Sequence, residues 1–365
     1  AKECFRRARL DPAMEIDALQ APLDFDEHRK EVWRVTAPLR GIKPHGYGAY
    51  DGPWIENWWT GPSQNRPSDA FGGLVPVFAQ WVDFAASRGH PEHAARRAQV
   101  LVALAGVMRP NVAYVTVSQH DKGIIYGDSI TPAVRARLTN LLVLSSGGVG
   151  HIPLPLLKQP EHLRKRPGDD SSSSNSEQRA VTCFGKVDKI RPMRQLLHQE
   201  FAALPPHYAK DAKWYYGGKW LRELDASSFA MIPRGRGRSA FSLCEVIQMG
   251  ALPVYVWDDV EWLPYRGSPR ADFDQFGLSM RLGGLRQLLD NVTALRRDAK
   301  EMARRRLLVR DLARSHFSYR GVVEQLARLF ENGTDPVAGS DLRCTGHPPS
   351  PDIREWLGTP ILEEQ

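Results

Sequence analysis

Several patterns that would place the sequence in a common protein class are missing from it. The four cysteines show no Cys-x-x-Cys spacing, which argues against a zinc site. No stretch matches the Gly-x-Gly-x-x-Gly dinucleotide fingerprint or the Gly-x-x-x-x-Gly-Lys-Ser/Thr phosphate loop at the right spacing. Dinucleotide-binding and P-loop NTPase functions are therefore not indicated.

Long hydrophobic runs are also missing. The longest strongly apolar stretch, residues 99–108, is much shorter than the roughly 20 residues that cross a bilayer. The chain opens on polar and charged residues, so we expect no signal peptide within this sequence. Any membrane anchor of the native protein is expected to precede Ala1.

The positive charge of the chain comes without the usual nucleic-acid motifs. The net charge is +7 at pH 7, but zinc-finger spacing, an RNP-like aromatic strand and a basic heptad helix are all missing. Much of the excess lies in Arg-rich stretches at 296–297 and 304–306, which are typical of a solvated helix face. Phosphorylated donors or acidic glycan acceptors would account for the rest, so we expect no nucleic-acid partner.

Two signals bear on the cellular compartment. Cys4 and Cys344 lie near the two chain ends in polar surroundings, where we expect a disulfide if the compartment is oxidising. Asn291 and Asn332 begin Asn-x-Thr sequons, which are acceptor sites for N-glycosylation. Together these signals favour the secretory lumen.

The pattern of apolar segments predicts an α/β protein. Short apolar segments rich in β-branched residues are typical of strands buried on both faces, and helical segments separate them. Strands that alternate with helices predict parallel sheets. The predicted strands are 111–118, 141–144, 180–185, 228–232 and 252–257. The predicted helices are 69–87, 92–108, 193–203 and 239–249, with one or two further helices over 296–330.

The length of the chain, 365 residues, predicts two domains. Residues 161–178 are first basic and then Ser-rich, and such a segment buries too little apolar surface to order itself. We therefore predict a flexible linker or insertion there. Rossmann-like domains are predicted over 1–160 and 179–330, and an irregular tail over 331–365. Within the first domain, residues 1–70 are rich in Trp, Pro and Gly, which predicts long irregular loops.

The segment 227–259 combines the features of a diphosphate site. A short apolar strand ends at Pro233, a loop with Gly235 and Gly237 follows, and a helix is predicted to begin near Ser239. Glycines let backbone N–H groups approach a ligand closely, and the unpaired amides at a helix start carry partial positive charge. Three arginines add formal charge and paired donors for phosphate oxygens. They are Arg234, Arg236 and Arg238.

The helix predicted after this loop carries polar residues on one face. Ser239, Ser242 and Glu245 recur every three residues. Glu245 is placed to accept hydrogen bonds from both hydroxyls of a ribose. The same spacing also fits a capping box, in which Glu245 would satisfy a backbone amide, and both interpretations stay open. The following strand carries Asp258 to its carboxyl end, where ligands bind in open α/β sheets.

These residues resemble the signature of exostosin-like glycosyltransferases, a family related to heparan sulfate polymerases and to plant and algal cell-wall glycosyltransferases. The strong match covers 228–264, and weaker matches extend the resemblance to about 50–330. The strong matches are Ser228-Phe229, Pro233-Arg234-Gly235, Ser239, Glu245, Gly250, Pro253-Val254, Asp258 and Leu263-Pro264. The weaker matches are Pro67 to Ala70, Val75-Pro76, Ser118 to Asp121, His151 to Pro153, and Phe184-Gly185 with Arg191 and Arg194.

The resemblance implies a GT-B fold, in which two Rossmann-like domains face each other across a cleft. It implies inverting transfer of a hexosyl or pentosyl group from a nucleotide sugar, most simply UDP-linked, to a glycan or glycoprotein during polysaccharide biosynthesis. Members that resemble this chain use glucuronic acid, galactose, xylose or arabinose donors. A Golgi location with a type II membrane anchor is also implied. We expect no obligatory metal or other cofactor, and the sequence leaves the oligomeric state open.

The resemblance also suggests roles for particular residues. The donor diphosphate is assigned to Arg194, Arg234, Arg238 and the backbone from Gly235 through Gly237 to Ser239, with Glu245 on the ribose and Asp258 at the same edge. Inverting transfer needs a base that takes a proton from the acceptor hydroxyl. Asp121, with His120, is the candidate, although a His-Asp pair at a strand end also fits ordinary turn chemistry.

Tryptophans of the first domain supply the candidate acceptor platform. Trp58 and Trp59, with Trp54 and Trp81, could stack against sugar rings. Tryptophans at this density are also typical of core or loop anchors, so both interpretations stay open.

Three other functions compete with this hypothesis. A metal-dependent GT-A transferase would use an Asp-x-Asp motif, whose letters occur at Asp272-Phe273-Asp274. A GT-B phosphorylase would need a pyridoxal-bearing lysine, for which only Lys219 suggests itself. A non-catalytic basic carbohydrate- or nucleic-acid-binding protein with a degenerate transferase fold is the non-enzymatic alternative.

Overall fold

A computed structural model describes residue 4 and residues 19–41, 52–86, 91–124, 131–159, 161, 179–188, 191–332 and 339–345. Two compact units make up the chain. The first comprises the described residues up to Leu154 together with those from Glu324 onward, and the second runs from Pro155 to Val323. Each contains a parallel sheet and helices, so the α/β class predicted from the sequence is confirmed. Apart from Glu161, the predicted linker at 161–178 lies outside the described residues.

The first unit is built on a four-stranded parallel sheet in the order β1-β2-β3-β4. All residues of β2 (Tyr114–Ser118) and β3 (Leu141–Ser145) are buried, as expected for a parallel sheet covered on both faces. The edge strands are shorter: β1 (Val75–Pro76) and β4 (Ile152–Pro153). The helices of this unit up to Leu154 are α1 (Phe25–Thr36), α2 (Ile55–Thr60), α3 (Trp81–Ala86), α4 (Pro91–Val107) and α5 (Pro132–Arg137).

The helix predicted over 69–87 is wrong up to residue 80, and only its end is helical, as α3. Gly72 and Gly73 adopt φ values of +56° and +82°, a left-handed backbone that ends the short turn before them and breaks helical periodicity. Pro76 then lies in β1, at the edge of the sheet. Proline has no N–H to donate, and an edge strand tolerates this because only one of its sides pairs with another strand. Two helices, α1 and α2, also lie within residues 1–70, the region for which the sequence predicts long irregular loops. Residues 42–51 of that region lie outside the described residues.

The second unit holds a five-stranded parallel sheet in the order β6-β5-β7-β8-β9. Its strands are β5 (Arg179–Phe184), β6 (Ala212–Tyr215), β7 (Ser227–Pro233), β8 (Leu252–Trp257) and β9 (Leu278–Arg281). Its helices are α6 (Pro192–Ala202), α7 (Pro206–Ala209), α8 (Trp220–Asp225), α9 (Phe241–Gln248), α10 (Leu285–Arg297), α11 (Ala299–Ser315) and the start of α12 (Tyr319–Asn332). Within the described residues, no helix combines the length and apolar character needed to cross a bilayer.

The strand order of the second unit creates a crevice at one edge of its sheet. From β5 the chain moves outward to β6, and then crosses back to β7 on the other side of β5. This reversal leaves a crevice at the carboxyl ends of β5 and β7, the place where open parallel sheets bind ligands. The Arg-Gly-Arg-Gly-Arg loop begins at that edge, directly after Pro233 ends β7.

A disulfide joins Cys4 to Cys344, whose Cα atoms are 5.2 Å apart. Both residues belong to the first unit. The bond closes a loop of 340 residues in sequence, so it strongly restricts the unfolded chain. The remaining cysteines, Cys183 and Cys244, are free and buried, as their apolar segments predict.

We expect reduction of this disulfide to lower the free energy of unfolding by about 2–5 kcal/mol. The melting temperature should fall by roughly 2–4 °C for each kcal/mol lost in a unit of this size. Thermal unfolding with and without reductant checks this, and a C4S/C344S double variant should melt at the reduced value under both conditions. Equal melting temperatures for the oxidised and reduced protein would contradict the expectation.

Candidate functional site

The loop after β7 is closed on itself by backbone hydrogen bonds. The Arg234 N–H donates to the Val256 carbonyl at 3.0 Å, and the Gly235 N–H donates to the Ser239 carbonyl at 2.8 Å. A Cβ atom on Gly235 would lie 2.7 Å from that same Ser239 oxygen, so the turn requires glycine. α9 begins at Phe241, so Ser239 precedes the helix and does not share its face with Ser242 and Glu245 as predicted.

Two arginines of the loop are paired with carboxylates at the end of β8. Arg234 forms a two-point ion pair with Asp258, with Nε–Oδ1 and Nη2–Oδ2 distances of 2.5 and 3.0 Å. Arg238 Nε donates to Asp259 Oδ2 at 2.8 Å, and the Tyr255 hydroxyl donates to the Arg238 carbonyl at 2.5 Å. Both guanidinium groups are therefore held in one orientation at the carboxyl edge of the sheet.

The charges at this edge shift the ionisation of the groups involved. Burial raises the pKa of Asp259, but its hydrogen bond and charge interaction with Arg238 outweigh burial, and the pKa falls below its usual value. Burial lowers the pKa of Arg234, but the hydrogen bond and the charge of Asp258 raise it by more, so the net shift of the pKa is upward. The pKa shifts of Arg234 and Asp259 thus both favour the charged forms of these two groups.

Arg194, on α6, contacts the backbone of the loop through its guanidinium group. Its Nε and Nη2 atoms donate to the carbonyls of Arg234 and Pro233, each at 3.1 Å, and the residue is buried. A Cβ atom on Gly185, at the end of β5, would lie 3.1 Å from Arg194 Nη1. Arg194 therefore lies between the ends of β5 and β7, with a positive charge in the crevice formed by the strand order.

Glu245 contacts a lysine that the sequence did not single out. Its Oε1 lies 2.5 Å from Lys158 Nζ, and both side chains are largely buried. Ala240 occupies the N-cap position of α9 and no side chain caps the helix, so the capping box is not formed. Lys158 is the one charged residue in the apolar segment Leu154–Lys158, a signal that could have identified it.

In the first unit, His120 and Asp121 follow the end of β2. His120 Nε2 is 3.4 Å from Asp121 Oδ1, and His120 Nδ1 is 3.2 Å from the Gly123 carbonyl. Burial is the main cause that lowers the pKa of His120, to about 4. The imidazole is therefore neutral at pH 7 and contacts the carboxylate assigned as base.

Glu56, which sequence reasoning missed, holds the start of this His-Asp turn. It is fully buried on α2, and its Oε1 accepts a short hydrogen bond from the Gln119 N–H, immediately before His120. Its Oε2 accepts from the Val82 N–H at 2.8 Å, at the start of α3. Burial raises the pKa of Glu56 well above its usual value.

The tryptophans proposed for the acceptor platform differ in their solvent exposure. Trp59 has no exposed surface, and its Nε1 donates to the Val77 carbonyl at 2.9 Å. Its ring packs against three phenylalanines of the same unit, so Trp59 is a core residue and the prediction that it stacks on a sugar is wrong. Trp58 is partly exposed and stays a prediction. Trp54 and Trp81 are buried like Trp59. The ring partners of Trp59 are Phe71, Phe78 and Phe330.

Asp272 and Asp274, the aspartates of the Asp-x-Asp sequence, both contact an arginine. Arg266 Nη1 lies 2.5 Å from Asp274 Oδ1 and 3.5 Å from Asp272 Oδ1. Within the described residues, no group of three or more His, Cys, Asp or Glu side chains forms a metal cage. The sequon asparagines are both exposed: Asn291 lies within α10 and Asn332 ends α12.

A buried histidine makes the stability of the first unit depend on pH. Burial lowers the pKa of His151 to about 3. Its Nδ1 accepts a hydrogen bond from the Val143 N–H at 2.9 Å, which protonation at that atom would break. Because the folded pKa is below the unfolded value near 6.5, the unfolded chain binds the proton first as the pH falls. Stability contributed by neutral His151 is therefore present above pH 6.5 and is lost between pH 6.5 and 3.

We expect this loss to reach about 1.4 kcal/mol per pH unit below pH 6. The H151N variant keeps an acceptor oxygen for the Val143 N–H but gains no proton. Urea unfolding at pH 7.0, 5.5 and 4.5 should therefore show a shallower decline for H151N than for the wild type. Parallel declines would show that His151 does not titrate differently on folding.

No protein-family model matches the chain, and no curated protein sequence matches it. Among solved structures, the chain is similar to TarM, with 12% sequence identity and a TM-score of 0.34 over 61% of this chain. It is also similar to HepE of Anabaena in complex with UDP, with 11% identity and a TM-score of 0.36 over 63% of this chain. The matched region spans 51% of TarM and 75% of HepE.

Proposed function

We propose that the chain is an inverting glycosyltransferase of GT-B type, related to the exostosin-like family, that uses a UDP-linked sugar donor. The observation that carries the proposal is the cluster of oriented guanidinium groups at the carboxyl ends of β5, β7 and β8. Arg194, Arg234 and Arg238 are each fixed by hydrogen bonds there. Fixed donors of this kind match the charge and geometry of a diphosphate and suit a departing nucleoside diphosphate.

Backbone amides at the start of α9 add to these arginines. Gly235 and Gly237 keep the chain free of Cβ atoms next to the arginine side chains, and α9 follows with its first amides. In this proposal Glu245 accepts from the ribose hydroxyls, and Asp121 with His120 supplies the base for the acceptor. The arginines provide the charge that a metal ion would otherwise supply to the leaving group, so transfer should persist in EDTA.

The wider setting is proposed on the same basis. A hexosyl or pentosyl group would pass to a glycan or glycoprotein acceptor in polysaccharide biosynthesis. The disulfide between Cys4 and Cys344 supports an oxidising compartment such as the Golgi lumen. A type II anchor on the native protein would hold it there, and fractionation of cells that express the full-length protein would test both points.

A nucleotide panel tests the donor assignment. UDP, UMP, uridine, ADP and GDP are added to the protein, and the melting temperature is measured together with binding by calorimetry. We expect UDP to stabilise the protein most, with UMP weaker because it offers one phosphate fewer to the arginines. If none of these nucleotides shifts the melting temperature or binds, the glycosyltransferase proposal is overturned and the non-catalytic binding alternative takes its place.

A further inference from the structure

The segment at the start of the second unit, residues 155–159, lies against α9 and is called the connector segment here. The Leu156 N–H donates a hydrogen bond to the Cys244 thiol, and Leu157 is fully buried. Lys158 then reaches Glu245, the neighbour of Cys244 on the same helix. Two successive residues of α9 are thus contacted by a segment that lies 87 to 88 residues earlier in sequence.

The ion pair between Lys158 and Glu245 is largely shielded from solvent. Lys158 Nζ and Glu245 Oε1 are 2.5 Å apart, and the two side chains are only 13% and 11% exposed. Pairs with so little solvent around them are weakly screened by salt. Loss of the ammonium would remove this charge partner from a largely buried carboxylate, which would then be held less firmly in one rotamer.

The position of the Glu245 carboxylate in α9 links the ion pair to the proposed nucleotide site. Glu245 lies in the second turn of α9, the helix that follows directly in sequence on the loop with Arg234 and Arg238. A carboxylate offers about four lone-pair sites, so one oxygen can accept from an ammonium while the group also accepts from hydroxyls. The lysine would hold the Glu245 carboxylate in one rotamer before a ligand arrives, which reduces the entropy lost on binding.

We propose that Lys158 is a positioning residue for nucleoside recognition: it holds the Glu245 carboxylate in the orientation that accepts the ribose hydroxyls of a nucleoside diphosphate. The inference rests on the proposed function, because it takes the ligand to be a ribonucleotide. It assigns to the connector segment a part in donor specificity. Lys158 would favour ribonucleotides over deoxyribonucleotides through its contact with Glu245.

The test compares UDP, 2′-deoxy-UDP and inorganic pyrophosphate by calorimetry on the wild type and on K158M. K158M should weaken UDP binding about tenfold, the cost of one charge-assisted hydrogen bond. It should weaken 2′-deoxy-UDP less and leave pyrophosphate unchanged. K158R should recover most of the UDP affinity. In an E245Q background, K158M should cause no further loss, since the two residues act through one contact.

Control variants separate this role from simple packing. Lys213 forms an ion pair with Glu223 at 2.9 Å in the same unit, on β6 and α8. K213M should leave the affinity for all three ligands unchanged, and the melting temperature of each variant is measured alongside. If K158M lowers the melting temperature but not the UDP affinity, or if UDP and pyrophosphate weaken equally, the inference is overturned. If the wild type itself fails to bind UDP, the proposed function fails instead.

Discussion

Replacement of Arg234 by alanine is expected to weaken UDP binding about 100-fold, or roughly 2.7 kcal/mol. The effect should exceed the loss of one phosphate contact. Arg234 neutralises Asp258 through two hydrogen bonds, and both groups are partly buried. R234A removes this ion pair and leaves the Asp258 carboxylate beside the site proposed for a diphosphate, so repulsion adds to the lost attraction.

A second substitution separates the two contributions. The R234A/D258N double variant removes the unpaired carboxylate charge, so it should regain part of the UDP affinity that R234A loses. R234K keeps a positive charge but not the planar fork, and it should lie between the wild type and R234A. These affinities are measured by calorimetry at two salt concentrations, because the repulsive part should shrink at higher ionic strength.

Arg236 provides the matched control in the same loop. Its side chain is exposed, whereas Arg234 is half-buried and Arg238 is buried. R236A should weaken UDP binding by less than about threefold, because an exposed charge contributes little. Equal losses in R236A and R234A would indicate that the loop acts only through its net charge, and unchanged binding in R234A would remove the diphosphate assignment.

Replacement of Glu56 by glutamine is expected to lower the free energy of unfolding of the first unit by about 3 kcal/mol. The carboxylate accepts hydrogen bonds from two backbone N–H groups, those of Val82 and Gln119, and the residue has no exposed surface. Glutamine has one acceptor oxygen and one NH2 group. One of the two buried N–H groups would therefore face another donor and lose its hydrogen bond.

The consequence should extend to the turn that carries His120 and Asp121, because Gln119 immediately precedes it. Urea unfolding measures the stability, and hydrogen exchange of the Gln119 and Val82 amides locates the effect. Glu27 provides a control: it pairs with Lys30 on the surface of α1, so E27Q should change stability by less than about 0.5 kcal/mol. If E56Q is as stable as E27Q, the carboxylate does not hold this turn.

Elements whose structure depends on local chemistry were predictable from the sequence. Runs of apolar residues identified β2, β3, β5, β7 and β8 within a few residues of their observed ends, because a strand buried on both faces needs a continuous apolar segment. The helix over 69–87 was wrong where Gly72 and Pro76 outweighed the apolar periodicity around them. The edge position that lets Pro76 join a sheet is a property of the assembled sheet.

The candidate site, too, combines features that the sequence predicts with contacts that depend on the assembled fold, and the Arg-Gly-Arg-Gly-Arg loop is the example. The sequence by itself determined that arginines and glycines follow a buried strand, and that Asp258 follows the next one. Because β7 and β8 are neighbours with Pro233 opposite Val256, those two strand ends bring Arg234 and Asp258 together. Only the tertiary structure paired Lys158 with Glu245 and Glu56 with Gln119. These partners are 87 and 63 residues apart in sequence, and no local pattern encodes a contact that forms only when separate elements pack together.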